Sequence, residues 1–278
     1  MAINNFIPTV WSESLYHELD SKYIAVRNCN REFEGDIRAK GNTVKICGIG
    51  DISVFDYSKN TDMSAPETLS DNVRTLTIDR AKGFNFQIDD IDKAQQAPKV
   101  MKEAMRRAAA ALASEADEYV FGLYQEADEE NQVDNDAATA ENIVDTLIKA
   151  RTKLFANNVY DADDMVFEVS PEVAELILKA KINLMTDNGD ALEAGMIGRI
   201  CGTKIFVSNN VKKETSDDAV VHKCIARTTR AVAFAEQLSE IDAYRPEKRF
   251  ADAVKGLHLY GAKLVYPKEY FVMNITVA

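Results

Sequence analysis

Alternation of apolar and polar positions predicts a long β-hairpin in the first third of the chain. The pattern runs from Gly41 to Tyr57 and resumes, rich in Thr and branched residues, from Val73 to Asp79. We therefore predict a two-stranded excursion over residues 41–80, closed by a polar tip around residues 58–62. Because it has few large apolar residues, it cannot bury a core of its own. It must lie against another surface, in this chain or in a neighbouring one.

The longest helix is predicted over residues 98–127. It follows a half-buried strand in which Phe84, Phe86 and Ile88 alternate with polar residues. Pro98 suits a first helical turn, and the apolar residues after it recur near one face without another proline. At 1.5 Å per residue, this helix would be about 45 Å long.

Charge along this helix runs opposite to the order that the helix macrodipole favours. Basic residues are concentrated in its first half: Lys99, Lys102, Arg106 and Arg107. Acidic residues are concentrated in its second half and at its end: Glu115, Asp117, Glu118, Glu126 and Asp128. A solvated polar face accommodates this order, because each exposed group costs only about a few tenths of a kcal/mol. The alternative hypothesis is that the separated charges meet complementary charges on neighbouring subunits.

Residues 140–237 mix short helices and strands, as expected of one compact α/β unit. Ser170 is the predicted cap of a helix and Pro171 its first-turn residue. The predicted order is a helix, a strand, this capped helix, a turn and a strand, at Ala140–Phe155, Met165–Val169, Ser170–Leu184, Asp187–Asp190 and Gly202–Ser208.

The two ends of the chain carry different patterns. Trp11, Leu15 and Leu19 share one stripe of a short helix, which suits an arm that anchors onto something else. Residues 256–277 are rich in strand-forming residues and are predicted to close a sheet begun by residues 83–90.

Composition narrows the class of protein. With 46% hydrophobic and 28% charged residues, the chain has the composition of a folded protein. Its net charge of -12 argues against sequence-independent binding to the phosphates of a nucleic acid, because such binding needs a surplus of Lys and Arg. No signal peptide is evident, and no apolar run approaches the roughly 20 residues that span a bilayer. We therefore expect folding in a cytoplasm and no membrane partner.

No group of residues forms a convincing catalytic, cofactor or metal site. The segment from Gly198 to Lys204 has the wrong spacing for a phosphate-binding loop. His222 and Cys224 have only Cys201 as a plausible third zinc ligand, and the Asp187–Asp190 turn lacks the distal Glu of a calcium loop. The cysteines are interpreted as free thiols in packed positions: Cys29, Cys47, Cys201 and Cys224. We expect no enzyme activity and no cofactor.

Six segments, taken together and in order, carry a resemblance to a known family. They are Ile7–Ser12, Asn28–Ile37, Lys40–Ile46, Phe84–Asp90, Gly198–Ile205 and Gly256–Lys263. In this order they resemble the coat proteins of tailed bacteriophages with the Hong Kong 97-type fold. The resemblance covers nearly the whole chain.

The resemblance implies an α+β capsid fold with four parts. These are an N-terminal arm (1–35), an extended β-hairpin loop (36–82), a peripheral domain (83–139 and 238–278) containing the spine helix (98–127), and an α/β axial domain (140–237).

The resemblance also implies a major capsid protein of the virion. Copies would self-assemble into pentamers and hexamers of an icosahedral head that encloses double-stranded DNA without sequence-specific binding. Since no fused scaffolding segment is evident, a separate scaffolding protein is expected, together with a portal protein. A decoration protein is a further candidate partner. Assembly is expected in the cytoplasm of the host bacterium.

Eight residues are candidates for inter-subunit contacts: Trp11, Tyr57, Lys59, Asp62, Arg106, Arg107, Asp187 and Asp190. Two alternatives stay open. Within the same fold, the chain could form an encapsulin-type compartment shell, which holds a cargo enzyme and no genome. In a different class, it could be an acidic cytoplasmic α/β enzyme with a cryptic site.

Overall fold

The structure is a computed structural model that describes most of the chain. The described residues are 15, 17–33, 43–49, 56, 59, 71–89, 99–159, 164–180, 196–216, 219–248 and 250–277. Among the helices in these ranges, none combines the length and the apolar character that crossing a membrane requires.

Besides an α-helical stretch at residues 17–22 and short 3-10 turns, the regular structure of these ranges consists of three helices and twelve strands. The helices are α1 (Lys99–Gly122), α2 (Ile143–Ala156) and α3 (Pro171–Lys179). The strands are β1 (Thr43–Ile49), β2 (Asp71–Thr77), β3 (Arg80–Asp89), β4 (Gln132–Ala138), β5 (Met165–Val169), β6 (Met196–Ile200), β7 (Thr203–Val207), β8 (Lys213–Ser216), β9 (Ala219–Thr228), β10 (Val232–Tyr244), β11 (Ala251–Leu264) and β12 (Tyr270–Val277).

The strands form three sheets. β1 and β2 pair antiparallel as a hairpin, which confirms the predicted two-stranded excursion. A small sheet has the order β10-β11-β3 and is antiparallel throughout. A large sheet has the order β4-β12-β9-β5-β7-β6, with β8 paired to β9. This mixture of sheets and helices is the predicted α+β class.

Helix α1 confirms the predicted long helix. It is followed directly by a 3-10 turn over Leu123–Glu126, so helical structure extends close to the predicted end. Its buried residues recur every three or four positions, as one face of an α-helix requires: Met105, Ala109, Leu112, Ala116 and Val120. That face joins the main hydrophobic core, in which residues of α1 and of both larger sheets pack together.

The last segment of the chain divides between two sheets, which corrects the prediction of one sheet for residues 256–277. β11 does pair with β3, placing Gly256 opposite Phe84. β12, in contrast, pairs with β9 and β4 in the large sheet. A turn at Pro267–Glu269 separates the two strands. Alternation identifies a strand but not its partner, and only the uninterrupted buried run Tyr270–Met273 indicates a central strand.

The middle of the chain follows the predicted order with shorter elements. Ser170 caps α3, because its hydroxyl oxygen accepts a hydrogen bond from the backbone N–H of Val173, and Pro171 occupies the first turn. α3 ends at Lys179, five residues before its predicted end. The predicted turn at Asp187–Asp190 lies outside the described residues.

Candidate assembly surfaces

A segment near the N-terminus, residues 23–33, lies across the body of the protein and is called the strap here. Its backbone turns over residues 24–29. Asp117 on α1 accepts hydrogen bonds from the backbone N–H groups of Ile24, Ala25 and Val26, at 2.9, 3.0 and 3.0 Å. The Asp117 side chain therefore satisfies three donors that this turn leaves unpaired.

Asp117 is almost completely buried, with 2% of its surface exposed. Burial raises its pKa to about 7, with a smaller contribution from the nearby charge of Glu168, although the three N–H groups favour the ionised form. The hydrogen bonds between α1 and the strap therefore depend on a carboxyl group whose charge is sensitive to its surroundings.

A fully buried ion pair on the large sheet also binds this turn of the strap. Arg227 on β9 forms two hydrogen bonds with Glu168 on β5, at 3.0 and 2.8 Å. Two further guanidinium N–H groups donate to the backbone oxygens of Asn28 and Ala25, at 2.8 and 2.9 Å. The Asn28 amide completes the arrangement by donating to Glu168. Each of the three nitrogens of this buried guanidinium therefore has at least one hydrogen-bond partner, as a desolvated charge requires.

The small sheet holds the strap through Glu236 on β10. Its carboxylate accepts hydrogen bonds from the Tyr23 hydroxyl and from Arg31 at 2.6 Å, and it contacts His258 on β11 at 2.7 Å. Beside it, Asn30 forms a parallel bridge to the edge of β10. The strap therefore connects α1, the large sheet and the small sheet.

Local sequence patterns do not predict this network. Its local signal is a charged residue inside an apolar run, Glu168 in β5 and Arg227 after Cys224–Ala226 in β9. A charged residue in such a strand is buried only when it is paired.

The β1–β2 hairpin begins against the small sheet of its own chain. Val44, Ile46, Leu76 and Ile78 form a second core with residues of the small sheet and of the turn after it: Ala233, Ala235, Leu259 and Val265. The prediction that the hairpin lies against another surface is confirmed for this base.

Gly261 on β11 lies in close contact with the end of β2. A Cβ atom at this position would lie 2.2 Å from the backbone oxygen of Thr77. Nearby, Arg74 on β2 donates to the backbone oxygen of Leu264 at 2.9 Å. Glycine at position 261 therefore lets the end of β2 approach the small sheet.

A Gly261→Ala variant tests this approach. We expect it to lower the free energy of unfolding by roughly 1–3 kcal/mol, because the added methyl group forces backbone atoms apart. Trypsin should also cleave faster after Lys45 and Arg74. Gly122→Ala is the matched control, since a Cβ there meets no atom within 4 Å. Equal stability and equal cleavage of the two variants would contradict the role of Gly261.

Arg106 and Arg107, two of the predicted contact residues, lie on the exposed side of α1. Both form ion pairs with Glu103, at 3.0 and 3.2 Å, and 52% and 82% of their side-chain surfaces are exposed. The hydrogen bonds from Arg106, and then those from Arg107, lower the pKa of Glu103. The acidic second half of the helix has partners inside the chain: Lys82 with Glu115, Lys212 with Glu118 and Lys263 with Glu126.

The other predicted contact residues are not brought together by the described structure. Lys59 is an exposed turn residue. The remaining five lie outside the described residues: Trp11, Tyr57, Asp62, Asp187 and Asp190.

The prediction that all cysteines are packed is wrong for Cys201. Cys29 and Cys224 are buried, but Cys201 is exposed. Cys201 and Gly202 have positive φ angles of 51° and 87° in the two-residue turn between β6 and β7, which directs the Cys201 side chain away from the core. Within the described ranges, no three His, Cys, Asp or Glu residues are grouped as metal ligands.

Comparison with known proteins gives one family match and several similar structures. Residues 72–272 match the family model described as phage capsid protein. A solved chain of Mycobacterium phage Che8 is 28% identical, with a TM-score of 0.66 and 90% of each chain covered. No curated protein sequence matches.

Two further solved structures share the fold at lower identity. The capsid of Ralstonia phage GP4 is 13% identical, with a TM-score of 0.68, and the match covers 93% of this chain and 89% of that one. An encapsulin complex from Synechococcus elongatus is 10% identical, with a TM-score of 0.58, and the match covers 86% and 83%.

Proposed function

Since the chain belongs to the phage capsid protein family and is a major capsid protein with the Hong Kong 97-type fold, we propose how its copies assemble. They form pentamers and hexamers that close an icosahedral head around double-stranded DNA. The observation that carries the proposal is the family match, which extends from β2 into β12 and so includes α1 and the strands of both larger sheets. The protein acts as a structural subunit and not as an enzyme.

We propose that the subunit has the four parts implied by its resemblance to coat proteins. They are an arm (1–35), an extended loop (36–82), a peripheral domain with the spine helix α1, and an axial domain around residues 140–237. Sheet pairing supports moving β4 and β12 into the axial domain, because both belong to the large sheet.

The charge of the chain supports a shell that lies beside DNA without binding a particular sequence. A net charge of -12 disfavours tight contact with phosphates. We propose that a separate scaffolding protein guides assembly in the host cytoplasm and that a portal protein occupies one vertex. A decoration protein is a further candidate partner. The finished protein belongs to the virion capsid.

An encapsulin-type shell is the second candidate, and the shared fold with the Synechococcus elongatus complex favours keeping it. The two functions differ in their contents, since a phage head holds a genome and an encapsulin holds a cargo enzyme. Nuclease-protected DNA in particles from infected cells supports the phage head, whereas a co-purifying cargo enzyme supports the encapsulin. Catalytic turnover by the isolated subunit would instead support the acidic enzyme.

Negative-stain electron microscopy tests the proposed function. The chain is expressed alone and together with a candidate scaffolding protein, and each preparation is examined after purification. Closed shells, tubes or five- and six-fold rings are the expected result. Uniform monomers in both preparations would overturn the proposal.

Charge reversal on α1 tests the predicted contact role of Arg106 and Arg107. Because both side chains are exposed, we expect Arg106→Glu with Arg107→Glu to change the free energy of unfolding by only about 1 kcal/mol or less. Shell formation should be lost, since like charges at a subunit contact repel. The measurement is particle yield by sedimentation.

A matched control is Lys149→Glu with Lys179→Glu, which makes the same change in net charge on the exposed faces of α2 and α3. This control should assemble. Normal shells from the Arg106/Arg107 variant would show that these residues make no essential contact between subunits.

A further inference from the structure

Ionisable side chains of the body of the protein lie beneath the strap. Five of them bind the strap or pair with a residue that does, and none of the five is more than 5% exposed. These strap-binding residues are Asp117 on α1, Glu168 and Arg227 on the large sheet, and Glu236 and His258 on the small sheet. Proteins rarely bury ionisable groups, because burial removes their hydration. The strap therefore covers a surface that water solvates well once it is exposed.

The strap-binding residues keep their charges compensated when the strap is absent. Arg227 and Glu168 bond each other at 3.0 and 2.8 Å, and Glu236 contacts His258 at 2.7 Å. Neither pair includes an atom of the strap. Asp117 bonds three strap amides, and water molecules can donate hydrogen bonds to its carboxylate in their place. Removal of the strap thus leaves each charge with a protein partner or with water.

Regular secondary structure contributes little to the attachment of the strap. Within the described ranges, the strap pairs with a sheet at one bridge, between Asn30 and Ala233 on β10. Its helical structure is the 3-10 turn Val26–Asn28. Four of its side chains join the main hydrophobic core, and two of these are small: Tyr23, Ala25, Val26 and Cys29. Segments with few buried apolar contacts open at a lower free energy than the whole protein does.

The backbone of Ala25 is bound from both sides. Its N–H donates to Asp117 at 3.0 Å. Its carbonyl oxygen accepts from Arg227 at 2.9 Å and from the Cys29 thiol at 3.3 Å. Because one residue carries both groups, moving its backbone away from α1 also moves it away from the large sheet. The contacts of the strap turn should therefore break together and not one after another from one end.

We propose that the strap opens as one unit, separating from the strap-binding residues while α1 and the two larger sheets stay folded. The subunit then has two folded states, and the closed state predominates because it forms all the bonds described above. The chain continues from the strap into β1, so opening also releases one attachment of the β1–β2 hairpin. The proposal concerns the isolated subunit and does not depend on whether its copies form shells.

Thiol labelling of the unassembled subunit measures this opening. Cys47→Ser with Cys201→Ser leaves two buried thiols, Cys29 in the strap and Cys224 on β9 in the large sheet. Burial raises the pKa of Cys29 to about 11 and that of Cys224 to about 12, so neither thiol reacts readily in the closed state. Relative to its rate in the unfolded chain, Cys29 should react at least about tenfold faster than Cys224. That factor corresponds to about 1.4 kcal/mol less free energy of opening.

Urea distinguishes opening of the strap from unfolding of the whole subunit. Opening of the strap exposes little surface, so the labelling rate of Cys29 should change little at low urea concentrations. The labelling rate of Cys224 should rise steeply, with the slope of global unfolding. Equal relative rates and equal slopes for the two thiols would overturn the proposal, because the strap would then open only when the whole subunit unfolds.

A variant of Asp117 tests whether the strap opens as one unit. In the two-thiol background, Asp117→Ala should speed the labelling of Cys29 by about tenfold or more, although Asp117 does not bond Cys29 itself. Glu118→Ala, at the next and exposed position, is the matched control and should leave the rate unchanged. An unchanged rate for Cys29 in folded Asp117→Ala would overturn the proposal. If Asp117→Ala does not fold, the urea comparison of the two thiols decides.

Discussion

An Arg227→Ala variant should lose about 3–5 kcal/mol of its free energy of unfolding. The loss follows from what the substitution leaves behind, a Glu168 carboxylate with no exposed surface and without its opposite charge. Two backbone oxygens of the strap also lose their donors. Denaturant titration of the unassembled subunit at pH 7 measures this loss.

Arg230→Ala is the control for Arg227→Ala. Arg230 is three positions away and also forms an ion pair, with Glu269, but 58% of its side-chain surface is exposed. The loss should be smaller, about 1–2 kcal/mol, because the Glu269 carboxylate, 10% exposed, keeps the hydrogen bond from Thr228. Equal losses in the two variants would show that the buried pair does not hold the strap.

An Asp117→Ala variant should destabilise the subunit by roughly 3 kcal/mol, since it leaves three buried N–H groups of the strap without an acceptor. Glu118→Ala, at the next position on α1, is the control, because Glu118 is exposed and bonds only Lys212 in the described contacts. Thermal and denaturant unfolding of both variants gives the comparison. If Asp117→Ala lowered the free energy of unfolding no more than Glu118→Ala does, the hydrogen bonds between α1 and the strap would not stabilise the subunit as proposed.

The same carboxyl group gives the subunit a pH dependence of definite sign. Burial raises the pKa of Asp117 from its ordinary value of 3.8 to about 7, so the folded protein binds this proton more tightly than the unfolded chain does. The contribution to stability is complete below pH 3.8 and is lost as the pH rises to about 7. Asp117→Asn should remove this decline, so its stability relative to wild type should rise over the same interval.

Periodicity predicted those elements whose signal is local. The β1–β2 hairpin, α1, β5 and the Ser170 cap all follow from spacing or residue type within a few positions, and all were found. The partner of β12 was not predictable in this way, because strand pairing depends on residues far apart in the chain.

Local sequence patterns could not predict the strap network either. Asp117 contacts backbone groups more than 90 positions earlier, and Arg227 lies 59 positions from Glu168. In the sequence, Asp117 is only one member of an acidic run whose other members have exposed side chains. Asp117 differs from these residues only in being buried, and burial is a property of the folded chain.

Amide hydrogen exchange in the unassembled subunit and in the assembled particle would test this account most sharply. The strap amides of Ile24, Ala25 and Val26 should exchange slowly in both states, because Asp117 binds them within one chain. The outer hairpin residues, 47–49 and 71–73, should exchange quickly in the subunit and become protected in the particle. Equal protection of the outer hairpin in both states would mean that no other copy covers it, and would contradict the account.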